Sequence, residues 1–281
     1  GECYGGPAYY IEAALHSRGL AVVFCIAMIL TYAFGFNMLA SYNLQSTFAG
    51  QPFYNADITP WIIGGILALV MGWCLLGGGN RIVKVTSTLV PFMGIAYILV
   101  SLFIVVLNIG QLPSVMAQIF KEAFDFKAIF AGFAGSAMMQ GIRRGLYSNE
   151  AGIGSAPNAA ASAVVSHPVK QGLVQMLSVF IDTLLLCTAT AMMCLVSGVI
   201  PAKELQGAPW VQAALHKTLG SFGPYFIMIA MVLFAFTTLL GNCFYCDNLL
   251  TYIHKKQPDR KFMTGFRIVS ALAVFWGAGM E

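Results

Sequence analysis

Long apolar runs dominate this chain and restrict what it can fold into. Charged residues make up 9% of its 281 residues and hydrophobic residues 58%, whereas about a quarter of an ordinary soluble domain is charged. So few charges cannot cover a soluble fold of this size, because the exposed apolar surface would aggregate. A lipid bilayer solvates apolar helix faces instead, so we predict an all-α polytopic membrane protein.

Six runs are long enough to cross the hydrocarbon core as helices, which takes about 20 residues. A seventh run reaches the end of the chain before attaining that length. We therefore expect seven membrane segments, and the weakest is the fourth, which is rich in Gly and Ala. The predicted spans are 20–44, 60–76, 85–107, 128–146, 173–199, 224–253 and 262–281.

Basic residues fall mainly on one side of these spans. With a cytoplasmic N-terminus, eleven of the fifteen basic residues lie in inner loops, as the positive-inside rule requires. The inner set is Arg18, Arg81, Lys84, Arg143, Arg144, Lys170, Lys255, Lys256, Arg260, Lys261 and Arg267. The outer loops hold Lys121, Lys127, Lys203 and Lys217. The bias supports both the span count and the orientation.

The segments between spans also carry structure. Residues 114–124 and 209–219 are predicted to form short helices on the outer face, and the small-residue segment 149–165 to pack closely on the inner face. The seven cysteines and four histidines show neither a disulfide framework nor zinc-ligand spacing. Because the chain begins at Gly1 and ends inside an apolar run, we expect an interior fragment of a single transmembrane domain.

Two polar stretches within the spans could hold a polar solute, since lipid-facing helices avoid such groups. In the first span, Asn37 and Ser41 lie four residues apart and share a helix face. In the fourth, Gly132, Gly135 and Ser136 favour an unwound stretch, each glycine weakening the helix by about 1 kcal/mol relative to alanine. Interhelical hydrogen bonding and tight packing of small residues are the alternatives.

A third polar stretch lies in the sixth span. Thr237 and Thr238 offer adjacent hydroxyls, and Asn242 lies one turn from Thr238 on the same face. Hard cations such as Na⁺ accept hydroxyl and carbonyl oxygens as ligands. The alternative is that the threonines bond to carbonyls of their own helix.

Two acidic residues lie in or near spans. Asp182 is inside the fifth span, where an unpaired charge is costly, so it must be paired, protonated or in contact with water. A structural or gating role and an ion-coupling role both remain open for it. Asp247 lies closer to the inner end, and we expect it to reach the interface or pair with Lys255.

Motifs of other protein classes are missing from the sequence. We find no nucleophile elbow, HExxH sequence, phosphate-binding loop or paired carboxylates, and therefore predict no enzymatic activity. Basic residues do not alternate with aromatic ones as nucleic-acid binding would require. The expected surroundings are the lipid bilayer, with no nucleic-acid partner.

Several sequence blocks together resemble the alanine/glycine:cation symporter family. The blocks are GLYSNEAGIGSAP at 145–157, followed by NAAASA, HPVKQGLVQM and FIDTLLLCTATAM, with GGPAYYI at 5–11, NIGQLP at 108–113 and LFAFTTLLGN at 233–242. The resemblance covers the whole chain in order. It implies the five-plus-five inverted repeat of the bacterial leucine transporter, with helices three to nine present, helices one, two and ten missing, and an interrupted helix six at Gly132–Ser136.

The same resemblance implies a set of site residues. The amino-acid pocket would be lined by Asn37, Ser41, Phe133, Gly135, Ser136, Met139, Thr238 and Asn242. Sodium would bind at Thr237 and Thr238. Ser148, Asn149, Glu150 and Gly152 would belong to the cytoplasmic gate, and we group Asp182 with these gate or structural positions. Two positions, Ala40 and Asn242, depart from the family pattern, so the resemblance does not define which amino acid is carried.

The implied function is sodium-coupled import of small neutral amino acids, of the alanine or glycine type, by alternating access in the cell membrane. Na⁺ would be the coupling ion, with no further cofactor. The alternative is a channel-like or receptor membrane protein built on the same spans, although the sequence shows no repeated pore-lining pattern.

Overall fold

Helices account for all regular structure in the residues that the computed structural model describes, which are 5–77, 79–124, 134–150, 152–200, 202 and 207–280. In chain order the helices are α1 (Pro7–Leu15), α2 (Arg18–Ser46), α3 (Thr59–Leu76), α4 (Gly79–Leu107), α5 (Leu112–Ala123), α6 (Ala134–Ser148), α7 (Ser155–Ala161), α8 (Pro168–Val196), α9 (Ala208–Leu219), α10 (Phe222–His254) and α11 (Arg260–Ala278). A 3₁₀ turn, Ile109–Gln111, precedes α5.

Five of these helices are long and apolar enough to cross a membrane: α2, α3, α4 from Lys84, α8 and α10. They correspond to five of the seven predicted spans, so the all-helical, polytopic prediction is confirmed. The predicted span 128–146 lies partly outside the described residues, and its described part is α6. The last predicted span forms α11, which is not among the five.

The predicted connecting helices are present with shifted ends. Residues 114–124 and 209–219 were expected to be helical, and α5 and α9 occupy those places. Within the small-residue segment 149–165 the structure contains α7, where Ser155 and Asn158 are buried. The sequence did not predict α1, which begins at Pro7 because proline suits the first turn of a helix.

Helix α10 is the centre of the packing. Leu239, Leu240 and Cys243 of α10 join one buried cluster with residues of α2, α3 and α11. Other α10 residues pack in a second cluster with α1 and α2, and in a third with α4, α8 and α9. Five of the six cysteines described are buried, as expected for cysteine acting as a small apolar side chain.

Hydrogen bonds at both ends show that α2 and α10 run antiparallel. At one end the Arg18 guanidinium donates to the carbonyl of Ile253 over 3.4 Å. At the other end the Gln212 amide, from α9, donates to the carbonyl of Thr47 over 2.8 Å and to that of Pro224 over 3.4 Å. The start of each helix therefore lies beside the end of the other.

Small residues allow α11 to approach α2 and α3 closely. A Cβ atom on Gly277 would lie 2.4 Å from the Cα atom of Met38, and one on Gly64 would lie 2.7 Å from the Cβ atom of Ala278. Such distances leave no room for a side chain. The glycines thus fulfil the packing role expected of small residues between membrane helices.

The Asp247 carboxylate pairs with Arg267 of α11 and not with Lys255. The guanidinium donates to Asp247 over 2.6 Å and, through its other terminal nitrogen, to the carbonyl of Leu75 over 2.9 Å. The prediction of Lys255 as partner was wrong because it considered only α10 itself. A guanidinium on the neighbouring helix can satisfy two acceptors at once, which a lysine ammonium at the helix end does not offer here.

Candidate solute and cation site

A cavity of about 440 Å³ lies between α2, the end of α6, α8 and α10. Aromatic and aliphatic side chains form much of its wall, and a few polar groups converge on it, which is the usual composition of a small-molecule site. Its lining residues are Phe36, Leu39, Ala40, Asn43, Tyr147, Ser148, Glu150, Ile153, Asp182, Met231, Phe234, Ala235, Thr238 and Asn242.

Two π-helical segments contribute residues to the wall of this cavity. Leu30–Phe36 interrupts α2 and Phe180–Leu186 interrupts α8. A π segment widens the turn and shifts the register of the side chains that follow, and such segments are frequent at functional sites. Phe36 ends the first segment and Asp182 lies in the second, and both line the cavity.

The charged groups that line the cavity are both acidic. Glu150 and Asp182 contribute carboxylates, and among the described residues no lysine, arginine or histidine contributes to the wall. Thr238, Asn43 and Asn242 add neutral oxygens. Carboxylate, hydroxyl and amide oxygens suit a hard cation or an ammonium group, so the polar groups of the wall favour a positively charged ligand.

Two of the predicted pocket residues line the cavity and a third supports one of them. Thr238 and Asn242 are in the wall. Asn37 lies behind it, fully buried, and its side-chain oxygen accepts a hydrogen bond of 2.9 Å from the Asn242 amide. The Asn37 amide in turn donates to the carbonyl of Ala33 over 3.1 Å.

The other predicted pocket residues either lie outside the cavity wall or have side chains that the structure does not describe. Ser41 is buried one turn beyond Asn37, and its hydroxyl has no hydrogen-bond partner among the described residues. Met139 is 48% exposed and does not line the cavity. Gly135 and Ser136 belong to α6 and are helical, although we predicted an unwound stretch there. Phe133 and Gly132 lie outside the described residues.

The two threonines of the predicted sodium site differ in environment. The Thr238 side chain is exposed to the cavity. The Thr237 hydroxyl is buried and donates to the carbonyls of Leu233 at 3.0 Å and Phe234 at 3.1 Å. The alternative explanation, bonding of threonine to its own helix, therefore describes Thr237, while Thr238 is left to face the cavity.

The predicted gate residues lie at the end of α6 against α8. The Ser148 hydroxyl donates to Asp182 over 2.9 Å, and the Asn149 backbone N–H bonds to the carbonyl of Gly145 over 3.2 Å. The Asp182 charge is thus hydrogen-bonded at the edge of a polar cavity, where its cost is reduced.

The turn after α6 has an unusual backbone. Glu150 adopts a φ of 53°, which is rare for a residue with a side chain, and Gly152 a φ of 79°. The Ser155 hydroxyl donates to the Glu150 carboxylate. This turn holds the Glu150 side chain against the cavity, so the SNEAG block contributes to the candidate site as well as to the proposed gate.

Sequence reasoning missed the apolar part of the cavity wall. Phe36, Tyr147, Ile153 and Phe234 line it, and the rings of Phe36 and Tyr147 meet edge-on with 5.6 Å between their centroids. Apolar residues in an apolar helix give no signal of their own. Gly35, inside the first π segment, was the one local sign that the helix changes there.

The fold and the cavity together define a multi-pass helical membrane protein with a candidate site for a small solute. The chain belongs to the sodium:alanine symporter family, whose model matches residues 1–281. This confirms the resemblance drawn from the sequence blocks. The family description is that of a symporter, a class of transporter and not of enzyme, and it gives no support to a channel or a receptor.

Named relatives are similar over most of this chain. It is 41% identical to the probable sodium/glutamine symporter GlnT of Bacillus subtilis over 96% of its length, and 39% identical to the amino-acid carrier protein AlsT of the same organism over 98%. It is 36% identical to the sodium/alanine symporter AgcS of Methanococcus maripaludis over 99%. The chain spans 55%, 57% and 61% of the length of these relatives.

Proposed function

We propose that the protein to which this chain belongs carries out sodium-coupled symport of small neutral amino acids, of the alanine or glycine type, by alternating access. The single observation that supports this best is the wall of the cavity between α2, α6, α8 and α10, which among the described residues contains two acids and no lysine or arginine. A sodium ion and the ammonium group of an amino acid are both cations that such a wall would stabilise. The names of the relatives, which include sodium, alanine and glutamine, are consistent with this class of solute.

The proposed residue roles rest on the positions of the residues around the cavity and on the family resemblance. Thr238 and Asn242 would contact the amino acid from α10, and Asn37 would hold Asn242 in place. Ser41, Phe133, Gly135, Ser136 and Met139 complete the substrate set carried over from the family. Thr238, with Thr237 beside it, would bind Na⁺. Ser148, Asn149, Glu150, Gly152 and Asp182 would form the gate, and no cofactor beyond the coupling ion is proposed.

The proposed architecture is a five-plus-five inverted repeat in which this chain contributes seven membrane segments, helices three to nine. Helices one, two and ten would supply the remaining ligands. The protein would lie in the cell membrane with the N-terminus of this chain on the cytoplasmic side. The one-sided distribution of basic residues supports that orientation.

Uptake into proteoliposomes tests the function. The full-length protein is reconstituted, and entry of labelled alanine, glycine and glutamine is measured with and without an inward sodium gradient. We expect the gradient to drive accumulation of at least one of them, and addition of a sodium ionophore to abolish it. Accumulation that ignores the sodium gradient would contradict sodium coupling.

Substitution of the cavity threonine tests the cation site. We expect Thr238→Ala to raise the sodium concentration for half-maximal uptake by about tenfold, because loss of one oxygen ligand to a charged group is worth about 1.5 kcal/mol or more. Thr237→Ala should have a smaller effect, since its hydroxyl already bonds to its helix. Thr264→Ala, at a half-buried helical position outside the cavity, is the control. An unchanged sodium dependence in Thr238→Ala would remove Thr238 from the site.

A further inference from the structure

A second cavity, of about 560 Å³, opens where α1, the start of α2 and the end of α10 meet. It is separate from the candidate solute site and shares no lining residue with it. Its lining residues are Tyr9, Glu12, Arg18, Thr251, Tyr252, Lys255, Lys256 and Gln257. Three of these are cations and one is an acid, so the cavity carries an excess of two positive charges.

This cavity lies at the depth where a membrane has its headgroups. Arg18 begins the first membrane-crossing helix, and Lys255 directly follows the last residue of the helix Phe222–His254. Both therefore stand at the end of an apolar span, on the same side of the bundle. Basic pockets between membrane helices at this level are suited to acidic lipid headgroups.

The cationic groups are arranged around an open space. The Arg18 guanidinium is held at the wall by its bond to the Ile253 carbonyl, and since this neutral group is its one acceptor among the described residues, most of its donors are available. Lys255 and Lys256 are exposed, and neither has an acidic partner among the residues that the structure describes. Lys255 adopts a φ of 56° at the end of α10, so the chain turns sharply there and brings both lysines to the cavity.

The remaining polar groups fix the geometry of the cavity. The Glu12 carboxylate accepts a hydrogen bond from the Tyr252 hydroxyl, and the Tyr9 ring packs edge-on against Tyr252 with 4.8 Å between centroids. The Thr251 hydroxyl donates to the carbonyl of Asp247 and so can only accept from a ligand. Burial, with a smaller effect of Cys25, raises the pKa of Tyr9, whose hydroxyl thus remains a neutral donor.

We propose that this cavity binds the phosphate group of an anionic phospholipid, with Arg18, Lys255 and Lys256 as its cationic contacts. A phosphate with one or two negative charges matches the excess charge of the cavity. The lipid is favoured over a free phosphate ester because exposed apolar side chains follow Arg18 along the first span, as an acyl chain would require. Leu20, two residues after Arg18, is 48% exposed and offers a surface for an acyl chain.

The test is a lipid titration of the purified full-length protein, followed by native mass spectrometry. We expect phosphatidylglycerol to bind more tightly than phosphatidylcholine, which has the same phosphate but no net charge. Lys255→Gln/Lys256→Gln should weaken phosphatidylglycerol binding by roughly thirtyfold, because the attraction of one lysine to an anionic lipid contributes about fivefold to affinity and two lysines are lost. The matched control Lys84→Gln/Lys261→Gln removes the same charge at exposed positions outside the cavity and should bind like the unmodified protein.

Substitution of the acid gives an effect of the opposite sign. Glu12→Gln keeps an acceptor for the Tyr252 hydroxyl and removes a negative charge from the cavity, so it should bind phosphatidylglycerol about fivefold more tightly. A misfolded variant would not bind more tightly, which separates this result from a loss of structure. Equal weakening in the two lysine double variants, or no gain in Glu12→Gln, would overturn the proposal. Displacement of the lipid by equimolar inorganic phosphate would instead assign the site to a soluble phosphate and also overturn it.

Discussion

Asn37 and Asn242 are 205 residues apart in the chain and share one hydrogen bond in the interior. Asn37 is fully buried, its side-chain oxygen accepts from the Asn242 amide, and its own amide also donates weakly to the Cys243 sulfur over 3.9 Å. Removing one member of such a pair costs more than the bond itself is worth, because the other member stays buried and unsatisfied. The pair is thus both a link between α2 and α10 and a support for the cavity wall.

A double-mutant cycle on this pair measures the link. Asn242→Ala should destabilise the protein by about 1–3 kcal/mol, because it leaves the Asn37 oxygen without its donor. Asn37→Ala together with Asn242→Ala should cost less than the sum of the two single changes. Thermal unfolding in detergent gives the three values. Strict additivity would show that the two side chains are not energetically coupled.

At the scale of helices, α11 is held to α2 and α3 by close backbone contact. Gly277 lies where α11 crosses α2 near Met38. Nearer the start of α11, the Arg267 guanidinium joins the helix both to Asp247 of α10 and to the Leu75 carbonyl at the end of α3. Small-residue packing and a shared guanidinium therefore anchor the same helix on three neighbours.

The contact at Gly277 should tolerate no side chain. Gly277→Ala places a Cβ atom 2.4 Å from the Met38 backbone, so α11 must move, and overpacking of this kind costs about 1–3 kcal/mol. The matched control is Gly72→Ala in α3, where a Cβ atom meets nothing within 4 Å and alanine favours the helix. We expect a lower melting temperature for Gly277→Ala and none of that loss for Gly72→Ala. Equal stability of both variants would mean that α11 is not tightly packed here.

The sequence patterns predicted the positions of the helices better than they predicted the contacts between helices. Apolar runs located the helices α2, α3, α4, α8 and α10 to within a few residues, because a membrane helix must satisfy its own backbone and be apolar along its length. They did not reveal the two π segments, since one extra residue in a turn leaves the average composition unchanged. The short helices α5 and α9 were also predicted, because a proline marks the first turn of each.

The candidate site was predictable only in part, for the same reason. Asn242 and Thr238 stood out as polar residues in an apolar helix, and both line the cavity. Their neighbours across the cavity depend on which helices are adjacent, and periodicity within one helix holds no such information. The pairing of Asp182 with Ser148, and of Asp247 with Arg267, therefore came from the fold alone.

For the whole molecule, cysteine labelling tests the proposed orientation in the bilayer. Lys261 precedes most of α11 and Lys217 lies in α9, and both are exposed. Single cysteines at these positions, in a background without the native cysteines, should react differently with a membrane-impermeant maleimide. In right-side-out vesicles we expect Lys217→Cys to be labelled directly and Lys261→Cys only after permeabilisation. The reverse pattern would invert the proposed topology.

The central position of α10 has a mechanical consequence. Because α10 belongs to all three buried clusters, any shift of it would disturb every one of them, whereas α8 has the smallest buried share among the five membrane-crossing helices. Thr238 therefore lies on the helix shared by the three clusters, and Asp182 lies on the membrane-crossing helix with the smallest buried share in this chain, so we expect α8 to be the one that moves. Spin labels on the exposed Leu184 and Ile229 should report a distance that changes when sodium is added, and a constant distance would argue against this. Such a movement would carry the Asp182 carboxyl group toward or away from the Thr238 hydroxyl and so change the width of the cavity.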